Sequence, residues 1–191
     1  DKELYSLEEL VQSFDLARVN KAGAKFDPEK NKWFNHQYLI TKNDEELAKA
    51  FAPFLYEKGV AVDYTTLTRI VGLIKERANF VSEFWELGDF FFQAPKEFDA
   101  KASKNWKEET PELMRRTADV LINIEDFTSE NIESIVKNWM TENEIGMGKI
   151  MQPLRLSLVG ALKGPHLFDI IDIIGKEETI KRIEKAIEIL N

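Results

Sequence analysis

The stretch Gln152–Gly175, QPLRLSLVGALKGPHLFDIIDIIG, sets one arginine and one lysine where an apolar run is interrupted. Arg155 follows Pro153 by two residues, and Lys163 opens a Lys163-Gly164-Pro165-His166 corner before a second run rich in isoleucine. A guanidinium forks onto phosphate or base edges and a lysine ammonium meets phosphate as a point charge, so both residue types suit an anion. Pro153 fits the first turn of a helix, where a missing N–H leaves no bond unmade. That start would put Arg155 near the positive end of the helix dipole, an unfavourable place for a cation. Two arrangements relieve the conflict: an anion bound at Arg155, or an ion pair with a carboxylate such as Glu144. Nine residues separate Arg155 from Gly164, about 14 Å at ~1.5 Å per helical residue. The span is too long for one small ligand and suits a row of two or three nucleotides. Pro165 and Leu167, apolar and beside Lys163, would then pack on splayed bases.

Other chemistry-bearing residues are few. The chain has no cysteine, which excludes disulfides, thiolate nucleophiles and cysteine-bound zinc within it. Its two histidines, His36 and His166, stand outside any His-Glu-x-x-His or Glu-x-x-His frame, so a helix-borne metal site is not expected. Without a Gly-x-Ser-x-Gly elbow or any partner constellation, a hydrolase built on His166 has no support. Lys101-Ala-Ser-Lys104 superficially matches a nucleotide-binding Lys-x-Ser-Lys loop, but no parallel-strand pattern accompanies it. It is expected to be a polar surface connection. Gly146-Met-Gly148-Lys149 lacks the spacing that wraps phosphates and is expected to lead into a helix. Arg77 flanks the end of an apolar stripe, where a cation complements the helix C-terminus whether or not it meets a ligand.

The elements that must hold these residues are helical. Asn43 precedes Asp44-Glu45-Glu46 as an N-cap, and Leu47, Phe51, Phe54 and Leu55 follow at helical spacing. Asp63 caps a stripe of Leu67, Ile70, Val71, Ile74 and Ala78; Asp27-Pro28 opens an earlier helix. Thr128 caps a helix with Ile132, Ile135, Val136, Trp139 and Met140 on one face, with Phe127 placed to staple onto Ile132. Leu167, Ile170, Ile171 and Ile174 form a buried face closed by Gly175. The last helix carries Ile180, Ile183, Ile187 and Leu190, with Glu178 and Arg182 expected on its wet side. Residues 88–106 are aromatic and irregular, and read as a connection between two helical units with its phenylalanines at the junction. The expected fold is all-α: two small helical bundles preceded by a remnant of something larger.

Composition leaves the partner open. The formal net charge is −8, which on average disfavours nucleic acid. Residues 144–191 contain seven basic and seven acidic residues, so the excess lies wholly in residues 1–143. No apolar run reaches the ~20 residues that span a bilayer, and the opening DKELYSLEEL is too polar for a signal peptide. Beginning on Asp rather than Met, the chain is expected to continue upstream.

Two segments together resemble one family. GKIMQPLRLSLVGALKGPHLFDIIDIIGKEETIKRIEKAI is similar to the C-terminal signature of bacterial-type glutamyl-tRNA synthetases: a Gly-x-hydrophobic-x-Gln-Pro-Leu-Arg helix, a Gly-Pro or Thr-Pro corner and a closing Leu-Gly-Lys-Glu segment. FDLARVNKAGAKFDPEKNKWFNHQYL resembles the stretch after that family's second nucleotide-binding signature. The resemblance implies the tail of a stem-contact module over 1–40, then helical anticodon-binding subdomains over 41–94 and 95–191. It implies an ATP- and Mg2+-dependent, cytoplasmic, monomeric parent ligase whose partner is the anticodon arm of tRNA(Glu), with no role for membrane or DNA. The family's His-Ile-Gly-His-like and Lys-Met-Ser-Lys-Ser-like signatures are absent here, so the chain would lack the catalytic centre and need no cofactor of its own. By motif position Arg77 would read the third anticodon base, which separates glutamate from glutamine tRNAs. Arg155, Lys163, Gly164, Pro165 and Leu167 would form the remaining anticodon contacts, Gly164 through its backbone alone because it replaces a threonine of some members. The competing reading is a non-catalytic helical scaffold that binds another protein through Phe90-Phe91-Phe92.

Overall fold

Three short polar side chains start the first large helices. Asp27 Oδ1 accepts from the N–H groups of Glu29 (3.0 Å) and Lys30 (3.2 Å), Asn43 Oδ1 from Glu46 (2.8 Å) and Asp63 Oδ1 from Thr66 (2.9 Å). Each satisfies donors that an incipient helix leaves unpaired. The computed structural model describes residues 2–19, 22–23 and 25–190. Among them are ten α-helices, several 3-10 turns and no strand, as the sequence periodicity requires. The helices are α1 (Leu7–Ser13), α2 (Pro28–Thr41), α3 (Asp44–Glu57), α4 (Tyr64–Ile74), α5 (Phe84–Gly88), α6 (Thr110–Ile122), α7 (Ser129–Glu142), α8 (Met147–Val159), α9 (Leu167–Ile174) and α10 (Lys176–Leu190). None of the described helices is long and apolar enough to cross a membrane.

Helix α3 packs on α4, and α4 on α5; beyond them α6, α8 and α10 pack against one another, with α7 on α6 and α9. The apolar stripes meet in one continuous buried cluster that runs through both groups. The stripe of α4 is buried throughout, Ala78 included. In α3, Ala48 takes the buried place and Phe54 remains 39% exposed, because the buried face follows Leu47, Ala48, Phe51 and Leu55. Thr128 stands at the N-cap of α7, but its side chain makes no capping bond.

The aromatic connection packs into this cluster. Phe90 and Phe91 are buried, and Phe92 stacks on Trp85 with ring centroids 6.0 Å apart and planes within 5°. This removes the apolar surface on which the protein-scaffold reading rested.

Arg182 overturns one expectation. It is not on the wet side of α10 but 3% exposed. Its Nε donates to Glu178 Oε1 (2.8 Å), and its Nη1 donates to the carbonyls of Phe90 (2.6 Å) and Leu158 (2.9 Å). Thr179, Arg182, Ile183, Ala186 and Ile187 are all buried, and their spacing is i, i+3, i+4, i+7, i+8, so Arg182 lies within the buried stripe rather than beside it. One guanidinium thereby joins α10, the C-terminus of α8 and the aromatic junction. Arg182→Met leaves two buried carbonyls without a donor, each worth about 1–3 kcal/mol. Denaturant unfolding is expected to show a loss of about 3 kcal/mol; a loss below about 1 kcal/mol would mean that these bonds do not hold the junction.

Candidate nucleic-acid interface

Helix α8 begins at Met147, six residues before Pro153, so the proline lies inside the helix and not in its first turn. Without a proline N–H, the carbonyl of Lys149 loses its helical donor, but Lys149 is exposed and water can serve. Full burial of Ile150 and Leu154 supplies the reason to extend the helix through this point. Arg155 therefore lies toward the C-terminal end of α8, where the dipole favours a cation, and the conflict expected from the sequence does not arise. Nor does Arg155 turn back onto Glu144: its Nη1 donates to the carbonyls of Lys163 (3.0 Å) and Pro165 (2.8 Å).

That clasp is made by two glycines. Gly160 ends α8 in the left-handed region (φ +78°), and its N–H reaches Leu156 O at 2.8 Å. A Cβ there would lie 2.7 Å from Glu97 O and 2.8 Å from Pro95 Cβ, so no side chain fits without moving backbone. Gly164, at φ +99°, rests on the buried Phe90 ring, with Cζ 3.1 Å from where a Cβ would stand. The chain reverses between them, and the nine-residue interval expected to run ~14 Å along a helix folds back onto Arg155. The extended row becomes a single compact locus.

The other expected residues divide by exposure. Lys163 is exposed, with its Nζ 3.4 Å from Glu86 O, and Gly164 is partly exposed. Pro165 is buried and Leu167 only 4% exposed, so in this arrangement they support the corner from beneath and offer little surface for a base.

Arg77 joins this locus from the other helical group. It ends the 3-10 turn Lys75–Arg77 after α4, is exposed, and donates from Nη1 to Leu73 O at 3.1 Å. Helix α2 holds the turn from behind through His36 Nδ1, 2.7 Å from Ala78 O, and through Asn35 to Asn79 O. His36 thus has a structural post. Burial first, and the neighbouring Arg77 charge second, push the Arg155 guanidinium down from its ordinary value. Arginine nevertheless stays charged, so two like charges lie near enough to repel. Among the described residues neither arginine forms an ion pair with a carboxylate. Arg155 Nε and Nη2 also make no hydrogen bond within the described protein. The arrangement presents planar donors and unbalanced positive charge from two elements, which suits an anionic, base-bearing ligand. Periodicity places Arg77 at the end of one helical stripe and Arg155 in another helix, and it carries no signal that the two come near each other.

The fold is that of an all-helical anticodon-binding module. The chain belongs to the family described as anticodon binding domain, whose model matches residues 46–187. Within it the similar proteins are glutamate–tRNA ligases: that of Flavobacterium johnsoniae is 73% identical over 190 residues, and that of Phocaeicola vulgatus 50% identical over 191. All of this chain is covered in both, against 38% of either relative. The solved glutamate–tRNA ligase of Elizabethkingia meningosepticum, in complex with its amino acid, superposes with a TM-score of 0.94 at 47% identity. It covers 100% of this chain and 38% of its own. The enzyme of Elizabethkingia anophelis gives 0.89 at 46%, covering 98% and 37%.

If the corner depends on the Gly160 reversal, Gly160→Ala meets both a left-handed backbone and a backbone overlap. Chemical denaturation is expected to show destabilisation of about 2–4 kcal/mol. A loss within ~0.5 kcal/mol would show that the turn is not constrained as described.

Proposed function

We propose that this chain recognises the anticodon arm of tRNA(Glu) as part of a glutamate–tRNA ligase. The observation that carries the reading is the convergence of Arg77 and Arg155, without a carboxylate partner for either, at the exposed Lys163-Gly164 corner of an anticodon-binding fold. Arg77 serves as the reader of the third anticodon base. Arg155, with Nε and Nη2 still available, serves the neighbouring nucleotide together with Lys163 and the Gly164 backbone. Pro165 and Leu167 belong to the same site through the shape they give the corner.

The chain spans about 38% of its relatives' length, and attachment of glutamate to tRNA is assigned to the remainder. ATP and Mg2+ are assigned there too; the Lys101–Lys104 segment, with both lysines exposed, leads into the 3-10 turn Ala102–Asn105. Residues 1–40 are read as the tail of a stem-contact module completed by that remainder. Leu7 (73% exposed), Phe14 (66%), Leu16 (79%) and Phe26 (72%) support this by leaving much apolar surface uncovered. Segments 41–94 and 95–191 act as the two anticodon-binding subdomains, meeting at the Arg182 junction.

Titration of the chain with anticodon stem-loops tests the assignment. Arg155→Ala is expected to weaken binding of the glutamate stem-loop roughly tenfold, with thermal unfolding confirming an intact fold; Arg77→Gln is expected to lower the preference for the glutamate over the glutamine anticodon by about 1–3 kcal/mol. Unchanged binding in the first variant, or equal losses on both stem-loops in the second, would remove these roles.

A further inference from the structure

Beside the arginine corner runs a groove of about 560 Å³ between the 3-10 turn Ala102–Asn105 and the turn that follows α8. Its walls bring Lys101, Lys104 and Lys163 together, with Ala161 and Leu162 as its apolar part. Leu162 is 44% exposed. The chain has 34 acidic and 26 basic side chains, so opposite charge is abundant. Yet among the described residues none of these three lysines forms an ion pair, whereas seven other lysines do. The one carboxylate lining the groove, Asp99, is engaged with backbone: its Oδ1 accepts from Ala102 N at 2.7 Å.

The groove is also built rather than incidental. Asp99 N donates to Gly160 O at 2.7 Å, so the segment carrying Lys101 and Lys104 is tied to the glycine that turns α8 toward Arg155. Ser103 N and Oγ both donate to Asp99 O (2.9 and 2.8 Å), Asn105 Nδ2 donates to Gln152 Oε1 at 3.1 Å, and Ala102 is buried. The lysine backbones are thus preorganised, and only their side chains need order on contact. Lys163 borders both the groove and the arginine corner, making the two one positive surface.

We infer that this groove takes the sugar–phosphate backbone of the anticodon loop next to the bases held at the corner, with Lys101 and Lys104 on successive phosphates and Leu162 against a sugar or base face. The inference rests on the anticodon reading above and adds to it a sequence-independent contact: phosphate contacts set position and base contacts set specificity. The Lys-Ala-Ser-Lys segment then has an RNA-backbone role without any nucleotide-binding fold.

The test is the salt dependence of binding. Lys101→Gln/Lys104→Gln is compared with the unmodified chain and with Lys181→Gln/Lys185→Gln, an equal charge change on α10. Fluorescence titration uses glutamate and glutamine anticodon stem-loops over a range of salt. The groove pair is expected to weaken both complexes by the same factor, leave their ratio unchanged, and flatten the slope of log K against log salt by about 0.7 per lost contact, roughly 1.4 in all. The α10 pair is expected to leave the slope as it is. If the unmodified chain binds but the groove pair keeps its slope, or both pairs lower it equally, the groove assignment is overturned and the corner stands. Should the unmodified chain fail to bind either stem-loop, the anticodon reading falls and the groove with it.

Discussion

A guanidinium withdrawn from water needs its donors met, and Arg182 meets this constraint by joining three separate pieces of chain. Glu178 supplies a carboxylate one turn earlier on the same helix, Phe90 O comes from the aromatic junction, and Leu158 O is one of the terminal carbonyls that α8 leaves without helical partners. Breaking such a set leaves buried oxygens unpaired, so the penalty falls on any movement of the junction relative to α8. Everything proposed for RNA depends on this registration. Gly164 rests on the ring of Phe90, Gly160 follows Leu158 by two residues, and the corner carbonyls held by Arg155 follow from both.

The surface that results is local in charge and composite in origin. Arg77 arrives from the end of α4, Arg155 from α8, Lys163 from the corner and the lysine pair from the junction loop. A net charge of −8 is compatible with this, since at ordinary ionic strength a charge is felt over about 8–10 Å. What an RNA strand meets is the nearby set of cations, and the distant acidic excess disfavours nonspecific attachment elsewhere. Further polar ties maintain the placement of α9 after the corner. Arg69 of α4 meets Asp172 at 2.8 Å, and Ser129 at the start of α7 donates to Asp169 and Asp172.

Most of the helices were legible from the sequence, because their caps and stripes are local signals: Asn43, Asp63 and Asp27 act as read, and the α4 stripe is buried to the last residue. Pro153 misled for a physical reason. A proline is tolerated within a helix when the carbonyl it orphans is solvated and the flanking residues gain enough by burial, and neither condition shows in a short motif. Arg182 was hidden by its own charge. Glu178 and Arg182 have the i, i+4 spacing of an exposed pair, but Arg182 also shares the spacing of Ile183, Ala186 and Ile187, and a strict period count places it inward. The candidate site residues could be proposed singly, through family motifs, but their geometry was not legible. Whether Arg155 and the corner form a track or a point depended on two positive-φ glycines, and the Lys101–Lys104 segment gained meaning only from what packs beside it.

The central claim is that an acidic helical chain carries one localised site for the anticodon loop of tRNA(Glu). The most direct measurement is titration of the unmodified chain with the glutamate anticodon stem-loop at low and moderate salt, alongside the same stem with its seven loop nucleotides replaced by an unrelated sequence. The account predicts saturable binding to the first, weakening linearly in log salt by about 0.7 per phosphate contacted, and markedly weaker binding to the second. Equal binding to both stem-loops, or binding indifferent to salt, would contradict it.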